Sequence, residues 1–171
     1  PFSIVKATPV VSVSCANAVE TYTGNDVTPA CTASATGADG APLGPAGLGV
    51  TYSATPHAPG AYTATGTFAE NEFYRAASSA TTASFVIKAA TTLTIACDRP
   101  KVYTGQNLTP CTATVTRTIG NVRLDTAIVR YTPSLVRDAQ SYAADASYEG
   151  SPLYFGAPPA HVTFQVEKAT P

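Results

Sequence analysis

Four thiols carry the most reactive chemistry in this chain: Cys15, Cys31, Cys97 and Cys111. They could close disulfides, ligate a metal as thiolates, or lie buried and inert. A zinc site wants a second Cys or His within about two to four residues of the first, and none of the four has one. Four cysteines allow three pairings. Pairing within each half, Cys15–Cys31 and Cys97–Cys111, closes loops of about 15 residues, worth roughly 3 kcal/mol each in the chain-entropy model. Disulfides imply an oxidising compartment outside the cytoplasm.

The other chemistry-bearing groups are sparse. His57 and His161 are the only histidines, and no nucleophile elbow of the Gly-x-Ser-x-Gly kind accompanies them. They read as surface or loop histidines, so no catalytic residue, cofactor site or metal site is expected, and the chain is not expected to be an enzyme. Glu70 and Glu72 could offer oxygens to Ca²⁺, but Glu149 alone stands near the matching place in the second half; a solvated turn is the default. Lys88 and Lys168 fall at a junction, poorly placed for an isopeptide bond to an asparagine. Asn107-Leu-Thr109 is a formal glycosylation sequon. Its counterpart is Asp26-Val-Thr28, which argues for chance.

Positioning of these groups follows from duplication. Phe2-Ser-Ile-Val-Lys6-Ala-Thr-Pro9 returns at the end as Phe164-Gln-Val-Glu-Lys168-Ala-Thr-Pro171, with a middle copy at Phe85-Val-Ile-Lys88-Ala-Ala. A period of about 80 residues organises the chain. Cys15 matches Cys97, Tyr22-Thr-Gly24 matches Tyr103-Thr-Gly105, and Cys31-Thr-Ala33 matches Cys111-Thr-Ala113. Val50-Thr-Tyr52 matches Val129-Arg-Tyr131, Tyr62 matches Tyr142, Phe68 matches Tyr148, and Phe85 matches Phe164. The expected organisation is 1–8 as the last strand or linker of a preceding repeat, 9–88 and 89–168 as two repeats, and 169–171 as the start of the next junction.

Composition points to strands. Charged residues are 12% of the chain, and Trp and Met are absent. Thr, Val, Ser and Tyr favour half-buried pleated surfaces. Val10–Cys15 and Leu93–Cys97 alternate with period two, as do Cys31–Thr36 and Cys111–Thr116. Gly37 to Gly49 reads as a loop or weak edge strand, replaced in the second repeat by Ile119 to Thr126. Short strands every 8–12 residues predict an all-β chain of two antiparallel sandwiches. Tyr62 and Tyr142, early in a late strand, suit either a tyrosine corner or ordinary half-buried packing. No apolar run is long enough to span a membrane as a helix. Net charge is −1, without the basic face that nucleic acid needs.

The ordered string Cys, Tyr-Thr-Gly, Thr-Pro, Cys-Thr-Ala, Val-x-Tyr, Tyr-x-Ala and Phe-x-Ile/Val-x-Lys-Ala, present twice, resembles the Ig-like tandem repeats of large bacterial secreted and surface proteins. The resemblance implies two Ig-like sandwiches end to end, serving as an extracellular stalk, spacer, adhesin-like or filament module. It supplies no catalytic residues. Ala69-Glu-Asn-Glu72 and Glu149-Gly-Ser-Pro152 depart from the family's usual Gly-Asp-x-Asn turn. Expected partners are neighbouring repeats or copies of the chain, with Phe2, Ile4 and Lys6 as an assembly strand completing a neighbour's sheet. The alternatives are a module recognising carbohydrate or a host or cell-surface receptor, and an accessory repeat of a secreted hydrolase. The short Lys88-Ala-Ala-Thr-Thr junction predicts restricted motion between repeats.

Overall fold

The computed structural model describes residues 5–98 and 101–169, and every regular element among them is a strand. Contacts divide the chain between Lys88 and Ala89 into two units. Unit 1 contains β1 (Val10–Cys15), β2 (Val19–Thr21), β3 (Cys31–Thr36), β4 (Leu48–Tyr52), β5 (Gly60–Phe68), β6 (Ala77–Ser78) and β7 (Ala83–Lys88). Unit 2 contains β8 (Thr91–Cys97), β9 (Lys101–Val102), β10 (Cys111–Arg117), β11 (Val122–Ala127), β12 (Arg130–Thr132), β13 (Ser141–Ser151) and β14 (Tyr154–Glu167).

Each unit is a pair of sheets. In unit 1, β1 pairs antiparallel with β3, while β2, β7, β5 and β4 lie side by side in the second sheet and β6 extends it along β5. In unit 2, β11-β10-β8 faces β12-β13-β14-β9. Alternation explains the layering. Val11, Val13 and Cys15 point inward from β1, whereas Val10, Ser12 and Ser14 point to solvent. In β7, Phe85 and Ile87 are almost wholly buried, each contributing about 1.5–3 kcal/mol by the area removed from water. After Cys15 and Cys97 the chain crosses to the other sheet. There β2 runs parallel to β7, and β9 runs parallel to β14.

An aromatic trio repeats at each core. Phe85 stacks on Tyr62 at 5.5 Å and meets Tyr52 edge-on at 5.9 Å. Phe164 does the same with Tyr142 at 5.7 Å and Tyr131 at 6.0 Å. Such pairs add about 0.5–1.5 kcal/mol beyond burial. The corner tyrosines also tie back to the chain. Tyr62 Oη donates to Ala58 O at 2.8 Å, and Tyr142 Oη donates to Asp138 O at 3.1 Å while accepting from Asp138 N at 2.9 Å.

The units differ at one edge. In unit 2, β11 pairs with β10, with Ala113 opposite Ala127 and Val115 opposite Asp125. In unit 1 the glycine- and proline-rich segment 37–47 forms no strand. Its backbone meets β3 through the Thr36–Pro42 bridge and the bond from Leu43 N to Ala35 O. Prolines cannot donate to a ladder and glycines weaken one, which is why the same stretch loops in one repeat and extends in the other.

Candidate functional site

The cysteines are joined as Cys15–Cys31 and Cys97–Cys111, and none is free among the described residues. The partners lie directly opposite in β1/β3 and β8/β10. Ala16 N donates to Ala30 O, and Asp98 N donates to Pro110 O, both at 2.9 Å. The cysteines are therefore the adjacent non-hydrogen-bonded pair, where antiparallel backbones approach closest. Their Cα atoms are 3.9 Å apart in both units. Tyr131 Oη accepts from Cys111 N at 3.1 Å, which fastens the second sheet to the disulfide-bearing strand.

The repeated junction forms a second constellation. Phe2 and Ile4 lie outside the described residues, so the proposed assembly strand is described only from Val5 onward. Lys6 Nζ bonds Glu70 Oε1 at 2.6 Å. That bond, together with the lysine charge, holds the Glu70 carboxyl below its ordinary range. Ala7 bridges in parallel to Tyr74: its N–H donates to Phe73 O and its C=O accepts from Arg75 N. Ala89 repeats the arrangement, donating to Leu153 O at 3.1 Å and accepting from Phe155 N at 2.9 Å. The receiving turns are braced alike, by Asn71 Oδ1 accepting from Phe73 N and Tyr74 N, and by Ser151 Oγ accepting from Leu153 N. Glu70 is thus engaged by a lysine, and no group of three His, Cys, Asp or Glu side chains converges among the described residues.

Both histidines are at the surface, and each is hydrogen-bonded to an aspartate. His57 Nδ1 lies 2.7 Å from Asp26 Oδ1, and His161 Nδ1 lies 2.6 Å from Asp145 Oδ1. His57 is in a connection, but His161 is on β14, opposite Asp145 on β13. Asp145 in turn sits opposite Arg130 on β12. One row on the solvent face of this sheet therefore reads Arg130, Asp145, His161. No local motif joins these positions in the sequence, because only the register of three strands does. Beside the row is an open cavity of about 140 Å³ lined by Ile128, Arg130, Asp145, Ala146, Ser147 and Pro159.

Shallow grooves of about 350 and 330 Å³ recur at matching places in the two units, one against Cys31-Thr-Ala33 and Val50, the other against Cys111-Thr-Ala113 and Val129. Their recurrence marks them as products of the shared framework. Of the described tyrosines only Tyr103 is exposed. No helix of the described residues is long and apolar enough to cross a membrane. Comparison with protein-family models and with curated proteins returns no match.

Proposed function

We propose that this chain is a non-catalytic structural segment of an extracellular array, two Ig-like repeats acting as a spacer or scaffold of a bacterial surface, adhesin-like or filament-forming protein. The observation that carries this reading is the pair of equivalent alanine docks. Ala89 follows the last residue of β7 and is the first residue bonded into unit 2; Ala7 is bonded into unit 1 in the same way. The matching docks support reading residues 5–8 as the end of a preceding repeat. Two separate disulfides support an oxidising location, and the two tyrosine ties four residues upstream support an Ig-like corner. The junction leaves only Ala89 and Ala90 between β7 and β8.

Surface shaving of intact cells tests the proposal. Antibody raised against this chain should detect it on unlysed cells. Protease should release peptides carrying further copies of the Phe-x-Ile/Val-x-Lys-Ala junction. Detection only after lysis, with both disulfides reduced, would sink the reading.

A further inference from the structure

Duplication separates what the fold requires from what one copy has acquired. The six residues lining the cavity beside the Arg130 row have counterparts in unit 1: Gly49, Thr51, Thr65, Gly66, Thr67 and Ala80. Thr51 and Thr65 are opposite one another in β4 and β5, just as Arg130 and Asp145 are in β12 and β13, and Thr82 stands where His161 does. The β4/β5 and β12/β13 pairings thus match, whereas Ala80 and Thr82 precede β7 and Pro159 and His161 belong to the longer β14. In unit 2 these places together hold a guanidinium, a carboxylate, an imidazole and an isoleucine that is 79% exposed.

The geometry points to a subsite for one acidic sugar unit, a hexuronate of a carboxylated glycan, on the β12-β13-β14 face of unit 2. Arg130 makes no hydrogen bond or ion pair among the described residues, so its fork is free for a carboxylate, which a planar guanidinium grips in bidentate fashion. Asp145 spends Oδ1 on His161 and keeps Oδ2 as an acceptor for a sugar hydroxyl. The Ser147 hydroxyl lines the same cavity, and His161 holds Asp145 through Oδ1. Ile128 and Pro159 supply the apolar wall on which the C–H face of a sugar ring can lie. A cavity of 140 Å³ is smaller than the roughly 300–1,000 Å³ of drug-sized sites, which suits a single ring of a longer chain. A peptide carboxylate would also use Arg130, so an oligoglutamate is the comparator that separates the two. This site is independent of the spacer role, and a spacer could carry it or lack it.

Backbone-amide NMR titration of the intact chain with short oligogalacturonate tests the assignment, with a neutral galactose oligomer and an oligoglutamate peptide as comparators. Saturable shifts should appear at Ile128, Arg130, Asp145, Ser147 and His161, and not at Gly49, Thr51, Thr65 or Thr67. Arg130→Gln, at an exposed position that leaves the core untouched, should weaken oligogalacturonate at least about tenfold, the loss expected for a hydrogen-bonded charge. Asp145→Thr with His161→Thr, which restores the unit 1 residues, should weaken oligogalacturonate while keeping its preference over the neutral oligomer, because Arg130 supplies that preference. The assignment is overturned by shifts spread over both units, by equal binding of oligoglutamate or the neutral sugar, or by an Arg130→Gln chain that binds as the parent does.

Discussion

Removing one oxygen from each corner tyrosine should separate the stabilities of the two units. In Tyr142→Phe the ring stays, so its stack on Phe164 at 5.7 Å is kept and only hydroxyl bonds are lost. That hydroxyl accepts from Arg137 N at 3.2 Å, Asp138 N at 2.9 Å and Gln140 Nε2 at 3.1 Å, and donates to Asp138 O at 3.1 Å. Tyr142 is 2% exposed, but Arg137, Asp138 and Gln140 lie at the surface, where water can replace part of what is lost. The cost is therefore about 2 kcal/mol, within the range for stranding buried partners and below the sum of four bonds. Tyr62 is half-buried and its hydroxyl engages Ala58 alone, donating to its O at 2.8 Å and accepting from its N at 3.3 Å. Tyr62→Phe should cost about 1 kcal/mol, a typical net hydrogen bond. A two-unit chain has no single unfolding free energy, so native-state amide exchange should be read at Ile87 for unit 1 and at Val115 for unit 2. At about 4–8 °C per kcal/mol for domains of this size, the unit 2 transition should fall about 8–16 °C in Tyr142→Phe and the unit 1 transition about half that in Tyr62→Phe. Equal losses, or a larger loss in unit 1, would refute the argument that hydroxyl count and burial set the cost.

Three further outcomes follow from the same geometry. Replacing either disulfide by alanines should cost about 3 kcal/mol in its own unit, because the separations of 16 and 14 residues give nearly the same loop entropy; unit-resolved exchange showing the loss in only one unit would contradict it. Gly66→Ala should destabilise unit 1 by about 1–3 kcal/mol through overpacking, since the new Cβ would stand 2.9 Å from Ser12 O and 3.2 Å from Ala33 Cβ; unit 2 already carries Ala146 at this place, so a neutral result by thermal denaturation would show that β1 can shift. The Glu70 carboxyl should titrate below the ordinary glutamate range and return to it in Lys6→Gln, followed by carboxyl NMR. Because its folded value is depressed, whatever stability the Lys6 contact gives is present above the unfolded value and disappears as pH falls through the folded one; both side chains are exposed, so the contribution is small.

The parts that could be read from sequence are those whose cause is local or repeated. Period-two alternation announces β1, β3, β8 and β10, and matched cysteines in each half announce which strands lie together. The crossings into β2 and β9 were hidden because two- and three-residue strands hold no periodicity; what creates them is the parallel bonding of Val19–Thr21 and Lys101–Val102 to the last strands. The segment from Ile119 onward became β11 because Val122–Ala127 lacks the prolines that keep Pro42 and Pro45 out of a ladder. His161 reads as a surface or loop histidine and is exposed on β14, but its partner Asp145, sixteen residues away, meets it only through the register of β13 and β14.

That contrast bears on how a duplicated chain can carry function. A residue present in both copies, such as Tyr62/Tyr142 or Ala7/Ala89, makes the same bond twice, so its retention is explained by folding or by chain continuity. A residue present in one copy, where the strand pairing is shared as it is for Thr51–Thr65 and Arg130–Asp145, has no such explanation. Arg130 and Asp145 belong to the second kind, with His161 and the exposed side chain of Ile128 beside them. Converting all four to Gly, Thr, Thr and Thr, as unit 1 has them at Gly49, Thr51, Thr65 and Thr82, should leave the aromatic trio and the Cys97–Cys111 bond in place, because none of the four contributes to either. A chain so altered that unfolds as the parent does would show that these side chains are not there for stability. One that loses several kcal/mol would return them to the framework and remove the reason for seeking a ligand on that face.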